Sequence, residues 1–216
     1  METFKNILEI IYFLSGPALV IAALYGLKQI KLASEQIKET RETRKVSAQR
    51  EAYKIAAEQC KYYSETIIPL LNKLDKTIDD KKLEYFTKTE ITIDSDKIGV
   101  KPYLNDGALD KVFSECLEEL STTINLIEGF SVYFVSGVAA DIVGYKTLGR
   151  TYTRSVKKLL PIIIPFGQDK SFEHTKALFI TWNSRIEKEK LLKEKEQVEE
   201  KIRKQKTITI DAIGTK

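Results

Sequence analysis

The side chains that most often carry out chemistry are few in this chain of 216 residues. It has two cysteines, Cys60 and Cys116, and one histidine, His174. A zinc site needs several Cys or His ligands at close spacing, and a nucleophile triad needs a histidine with positioned partners. Neither GxxxxGK nor GxGxxG, the phosphate-binding loops, occurs in the sequence. We therefore expect no catalytic residue, no metal site and no cofactor, and the sequence does not predict an enzyme.

The same residues have simpler structural interpretations. In a reducing compartment, two isolated cysteines are most often small buried apolar residues. His174 falls in the first turn of a predicted helix, where it is expected to be exposed or to cap the helix. The aromatic residues of SVYFVSG (131–137), together with Tyr145, Tyr152 and Trp182, could line a ligand pocket. Their helical spacing favours packing in a core instead.

The formal net charge of +4 is too small for a dedicated nucleic-acid-binding protein, so no nucleic acid partner is expected. The sequence does not identify a small-molecule ligand. We expect either a protein partner or self-association.

Residues 7–27, ILEIIYFLSGPALVIAALYGL, form the longest apolar stretch, with Glu9 as the only charge. At about 1.5 Å per residue, a helix of this length would cross a ~30 Å hydrocarbon layer. A cleaved signal peptide and a buried core helix are the alternatives, and the lack of a basic start and the uncharged length argue against them. The stretch therefore predicts an uncleaved transmembrane helix in contact with a lipid bilayer. Ala18, Ala22 and Gly26 share one face, where small residues would let two spans pack closely.

Basic residues follow this stretch and are nearly absent before it. Lys28 and Lys31 come first and are expected to contact lipid headgroups. Because positive charge stays on the cytoplasmic side, the N-terminus is predicted to lie outside and the rest of the chain in the cytoplasm.

Beyond residue 27 the pattern is helical. Residues 28–47 predict a polar helical stalk, with a coiled coil as the alternative. Residues 48–186 predict a helical bundle, with helices that include about 109–136, ending near Gly137, and about 140–160. Pro161 and Pro165 predict a loop after it. The last helix is expected to start near Ser171 and to continue into a charged extension, 187–216, which is either solvated or a docking helix.

Two short segments alternate like strands. Thr89–Asp94 (TEITID) is predicted to be a strand, with a loop marked by Gly99 and Pro102 after it. Residues 207–210 (TITI) are the second, and the two could pair. The predicted fold is therefore mainly α: an N-terminal transmembrane helix (1–27) that continues into a cytoplasmic helical bundle with a minor two-strand β element.

Several features together resemble a family of uncharacterised bacterial single-span membrane proteins. These are the run at 36–45 (QIKETRETRK), Asn125 with Glu128, Gly137, and Tyr145 in the following helix. Relatives in that family have an acidic pair after the glycine, and Ala140-Asp141 matches it in part. The resemblance implies a bacterial inner-membrane protein with a cytoplasmic helical domain, linked to phage defence or mobile elements. It implies no functional residues.

Two functions follow from this organisation. The first is a membrane-anchored helical module that binds, scaffolds or senses a partner. The second is an oligomeric membrane-disrupting effector that is gated by its cytoplasmic domain.

Overall fold

The computed structural model describes residues 1–94, 97–103, 105, 107–166 and 171–205, with backbone alone at positions 8, 11, 14 and 18. The described chain is mainly helical with one small sheet, which confirms that part of the predicted fold. The elements in chain order are α1 (Glu2–Tyr62), a π-helical turn (Tyr63–Ile67), α2 (Ile68–Asp80), α3 (Glu84–Lys88), β1 (Glu90–Asp94), β2 (Lys97–Lys101), α4 (Ala108–Val135), α5 (Asp141–Phe166) and α6 (Glu173–Lys204).

The chain divides into two compact units, Met1–Glu51 and Ala52–Lys216. The first unit consists of the N-terminal part of α1, which continues helically through Pro17. Residues 28–51 of this unit are exposed throughout.

The predicted transmembrane helix is not supported. Within the described residues, no helix has both the length and the apolar run needed to cross a membrane. Within the stretch at 7–27, the side chains at positions 8, 11, 14 and 18 lie outside the described part of the chain. The predicted single-pass inner-membrane location and its orientation are therefore wrong. The membrane-disrupting function depended on the same span and is not retained.

The second unit has one apolar core. α4 lies against α2, α3, α5 and α6, and buries Val112, Leu120, Ile124, Ile127 and Phe130 among them. Together with the buried Cys116, these positions are three or four residues apart, so they form one face of the helix. Such a face is stable only when neighbouring helices cover it, and α5 and α6 do so with residues such as Val156 and Phe179.

An aromatic cluster lies at the centre of this core, as predicted for Phe134, Tyr152 and Trp182, whereas Tyr133 is exposed and Tyr145 is half-buried. Trp182 is fully buried, and its ring lies 5.0 Å from the ring of Tyr152 and 5.4 Å from that of Phe134. Phe130 contacts all three rings. The cluster joins α4, α5 and α6, and it is packing rather than the lining of a pocket.

The sheet differs from the predicted pairing. β1 pairs antiparallel with β2, in the register Glu90↔Lys101 and Thr92↔Gly99. The segment around Gly99 was predicted to be a loop because glycine is rare in strands. A Cβ on Gly99 would lie 2.4 Å from the Thr92 hydroxyl, so glycine allows the close approach of the strands. The predicted strand at 207–210 lies outside the described residues.

Two helix boundaries also differ from prediction. α5 does not end at residue 160 but continues through Pro161 and Pro165 to Phe166. A proline inside a helix removes one backbone hydrogen bond, but Pro161, Ile162 and Ile163 are buried and their packing compensates for it. α6 begins at Glu173, two residues after Ser171, near which its start was predicted.

Candidate functional site

A groove of about 630 Å³ lies between α5 and α6, and five cationic side chains are among the residues that line it. Arg150, Arg154 and Lys157 line the α5 side. They are spaced by four and three residues, so they project from one face of the helix. Lys190 and Lys193 line the α6 side, also from one face.

The floor of the groove is less polar than its rim. Thr153 is buried there, and Asn183 and Ile186 are half-buried. The Thr153 hydroxyl donates to the Gly149 carbonyl at 2.9 Å, so it is already satisfied by its own helix. The exposed arginine and lysine side chains are therefore the groups that can contact a ligand.

None of these five cations makes an ion pair with a described residue. Cations elsewhere in the unit often do: Lys73 pairs with Glu119 at 2.6 Å, and Lys81 with Glu115 at 2.8 Å. Two acids, Glu189 and Glu194, also line the groove but are outnumbered by the cations. An uncompensated cluster of this kind concentrates positive potential in the cleft and attracts anions.

The positive surface continues beyond the groove. Arg150 and Arg154 also line a neighbouring cavity of about 330 Å³ between α2 and α5. Lys158, on the far side of that cavity, is neutralised by Asp75. The cations of this second cavity that make no ion pair with a described residue are therefore Arg150 and Arg154, which it shares with the groove.

Asp141, the first residue of α5, connects α5 to α6. Its carboxylate accepts a 2.8 Å hydrogen bond from the Trp182 indole and forms an ion pair with Arg185. Because the indole is buried and has only one N–H, this bond satisfies it and sets the position of α6 against α5.

Tyr145 makes a second link, one turn along α5. Its hydroxyl donates to Glu189 at 2.7 Å, and the Arg185 guanidinium lies 5.3 Å from its ring centre. Burial, followed by the hydrogen bond to Glu189, raises the pKa of Tyr145 to about 12. The phenol is therefore neutral and acts as a hydrogen-bond donor at physiological pH. Its acceptor, Glu189, is one of the two acids that line the groove.

Glu128 of α4 caps the N-terminus of α6. Its carboxylate accepts hydrogen bonds from the backbone N–H of His174 (3.2 Å) and of Thr175 (2.8 Å), and from the Thr175 hydroxyl (2.7 Å). His174 Nδ1 lies 2.8 Å from the same carboxylate. The first N–H groups of a helix have no partner within the helix, and Phe172, directly before α6, supplies no side-chain cap. A residue from another helix therefore performs the capping.

The pKa of Glu128 reflects this arrangement. Burial is the largest single influence and raises it, but the hydrogen bonds from Thr175 and His174 together lower it below the usual 4.5. The carboxylate is thus ionised at neutral pH and interacts favourably with the positive end of the α6 dipole.

Three buried hydroxyl groups continue inward from this cap. Ser131 and Tyr152 lie 2.7 Å apart, and Tyr152 also donates to the Thr175 carbonyl at 3.3 Å. Ser131 and Thr175 have no exposed surface, yet every hydroxyl has a partner. Burial raises the pKa of Tyr152 well above its ordinary value. The network joins α4, α5 and the first turn of α6.

One buried hydroxyl is an exception. Tyr63, in the π-helical turn, is fully buried against Phe130 and Tyr152, and its hydroxyl has no hydrogen-bond partner among the described groups. Burial raises its pKa to about 12; the Ser155 hydroxyl lies near enough to lower it slightly but not in hydrogen-bond geometry.

The residues singled out from the sequence are not assembled into one site. Cys60 and Cys116 are buried with free thiols, as predicted, and burial raises both pKa values. His174 lies in the first turn of α6, as predicted, but it is half-buried against Glu128, and it is Glu128 that caps the helix.

The residues predicted to act at a bilayer all lie on α1. Lys28, Lys31 and Ala22 are exposed, and the side chain of Ala18 lies outside the described part. A Cβ on Gly26 would have open space around it. The headgroup contacts and span packing predicted for these residues depended on a membrane span, and no observation of the structure supports them.

Sequence reasoning missed the groove, although the spacing of Arg150, Arg154 and Lys157 was readable. No group of His, Cys, Asp or Glu in the described ranges could hold a metal ion. Comparison of the chain with protein-family models, with curated proteins and with solved structures found no match. Function is therefore argued from the geometry of the groove.

Proposed function

We propose that the protein is a helical binding module, a scaffold or sensor, that holds an anionic partner in the groove between α5 and α6. The observation that carries the proposal is the set of five cationic side chains that line this groove without an ion-pair partner among the described residues. The modest net charge of +4 disfavours nucleic acid as this anionic partner.

The contacts that position α6 support this role. Asp141 and Tyr145 bind Trp182 and Glu189 of α6, and Glu128 binds the first turn of α6, so three separate contacts position this helix. A groove that is already organised before binding loses little conformational entropy when the partner arrives. A surface whose charges merely kept the protein soluble would need no such fixation.

The test uses neutralising variants of the full chain. Arg150→Gln, Arg154→Gln and Lys157→Gln are combined in one groove variant. Lys76→Gln, Lys97→Gln and Lys188→Gln are combined in a matched control, since those lysines are exposed and lie outside the groove lining.

Binding of a fluorescein-labelled oligoglutamate peptide is followed by fluorescence anisotropy at several salt concentrations. The groove variant is expected to bind at least about tenfold more weakly than the wild type, and the control within about twofold, because the groove charges act at short range. Raising the ionic strength should weaken wild-type binding, because salt screens partly exposed charges. Equal losses in the groove and control variants would show that only overall charge matters and would refute the proposal.

A further inference from the structure

We infer that the partner segment held in the groove is an acidic α-helix whose carboxylates repeat every three to four residues. This inference rests on the proposed function and names the partner chemistry at the same site. Three properties of the groove support it: the spacing of its charges, its shape, and the hydrogen bonding of its two acids.

The spacing of the α5 charges matches a helix. Arg150, Arg154 and Lys157 extend along about 10 Å of α5, at a rise of about 1.5 Å per residue. A second helix lying alongside, with Glu or Asp at positions i, i+4 and i+7, presents carboxylates at the same intervals. The two arginines can each bind a carboxylate through two parallel hydrogen bonds, which fixes the register as well as the affinity.

The shape of the groove favours a segment over a small molecule. Residues of only α5 and α6 line it, so it has two walls and is open along its length. Small-molecule sites usually enclose most of the ligand surface. A groove between two helices that is open on one side is the geometry in which amphipathic helices are usually recognised. Ile186, half-buried on the floor, provides an apolar contact for the face of the partner helix that points inward.

The two acids in the lining differ in whether a described residue already binds them. Glu189 is engaged by the Tyr145 hydroxyl, which leaves Lys190 and Lys193 as the free charges on that part of α6. Glu194 has no described partner and lies one residue beyond Lys193. A basic residue of the partner helix near Glu194 would therefore be favoured, and this gives the bound helix a direction.

The experiment compares peptides of identical composition. One is an alanine-rich helix of about 18 residues, long enough to be helical on its own, with glutamates at i, i+4 and i+7 along one face. The other contains the same residues in an order that distributes the glutamates around the helix. The full-length protein is titrated against each labelled peptide, with tripolyphosphate as a competing small anion.

The peptide with glutamates on one face is expected to bind at least about tenfold more tightly than the scrambled one. A charge swap tests direct contact. The protein variant Arg150→Glu with Arg154→Glu should lose the acidic peptide and gain binding of a peptide in which the same glutamates are lysines. Trp182 fluorescence, from the only tryptophan, confirms that this variant is folded.

Each outcome decides the inference. Equal binding of the two peptides, with loss in the groove variant, would overturn the helical segment while leaving an anion-binding groove. Tight tripolyphosphate binding that excludes both peptides would assign the groove to a small phosphate-bearing ligand and would also overturn the inference. If the groove substitutions do not weaken the binding of either peptide, the proposed function itself is refuted.

Discussion

The cap that Glu128 places on α6 makes a quantitative prediction about stability. Glu128→Ala removes an acceptor that serves two backbone N–H groups, the Thr175 hydroxyl and His174. Glu128→Gln keeps the size of the side chain and one acceptor oxygen but replaces the charge with a neutral amide.

The magnitude follows from the kinds of bond that are lost. A helix cap contributes about 1 kcal/mol, and partly buried donors left without an acceptor cost about 1–3 kcal/mol. The Glu128 side chain is 22% exposed, so water replaces part of the lost bonding. We expect Glu128→Ala to lower the free energy of unfolding by about 2–3 kcal/mol, and Glu128→Gln by about 1–2 kcal/mol.

The assay is urea denaturation followed by the fluorescence of Trp182, which is fully buried and lies on α6 itself. The difference between wild type and Glu128→Gln should also depend on pH. The pKa of Glu128 is lowered in the folded state, so the stabilisation by its charge is fully present above the unfolded value near 4.5. It should disappear as the pH falls through the lower folded value, and the two proteins should then converge.

Glu118→Gln is the control, because Glu118 lies on the same helix but is exposed. It should change stability by less than about 0.5 kcal/mol at every pH. If Glu128→Gln behaves like this control, or if its effect persists unchanged at acidic pH, then the capping argument is wrong.

The remaining predictions concern the packing around the same framework. Tyr152→Phe should destabilise the protein by about 1–2 kcal/mol in the same denaturation assay, because buried partners lose a hydrogen bond. Tyr63→Phe should be neutral or slightly stabilising, since that buried hydroxyl has no partner; a loss as large as that of Tyr152→Phe would contradict this. Gly144→Ala should lower the melting temperature at a cost of about 1–3 kcal/mol, because its Cβ would lie 2.3 Å from the Phe134 ring. Gly129→Ala, where a Cβ has open space within a helix, should instead stabilise by up to about 1 kcal/mol, and a loss there would be unexpected.

Much of the helical architecture could be predicted because it depends on local spacing. Apolar residues three and four apart placed Leu120, Ile124 and Ile127 on one buried face, and the structure confirms it. Gly137 was predicted to end its helix; α4 ends at Val135, and Gly137 adopts the left-handed conformation that suits a position after a helix. The burial of both cysteines followed from their isolation in the sequence.

Errors arose where hydropathy or a single residue type was judged without its surroundings. The apolar stretch at 7–27 predicted a membrane span that the structure does not support. Gly99 and Pro161 were taken as breaks, yet cross-strand pairing accommodates the first and core packing the second. In both cases a long-range contact outweighed a local preference.

The sequence by itself determined that the chain is mainly helical, which faces of its helices are apolar, and that the usual metal and nucleophile motifs are missing. These properties follow from residue type and from the 3.6-residue period, which any helix imposes. Only the tertiary structure decided that Glu128 caps a helix that begins more than forty residues later, and that the basic face of α5 lies opposite the lysines of α6. Such pairings depend on how the helices pack around the aromatic core, and no local pattern specifies which helix becomes the neighbour of another.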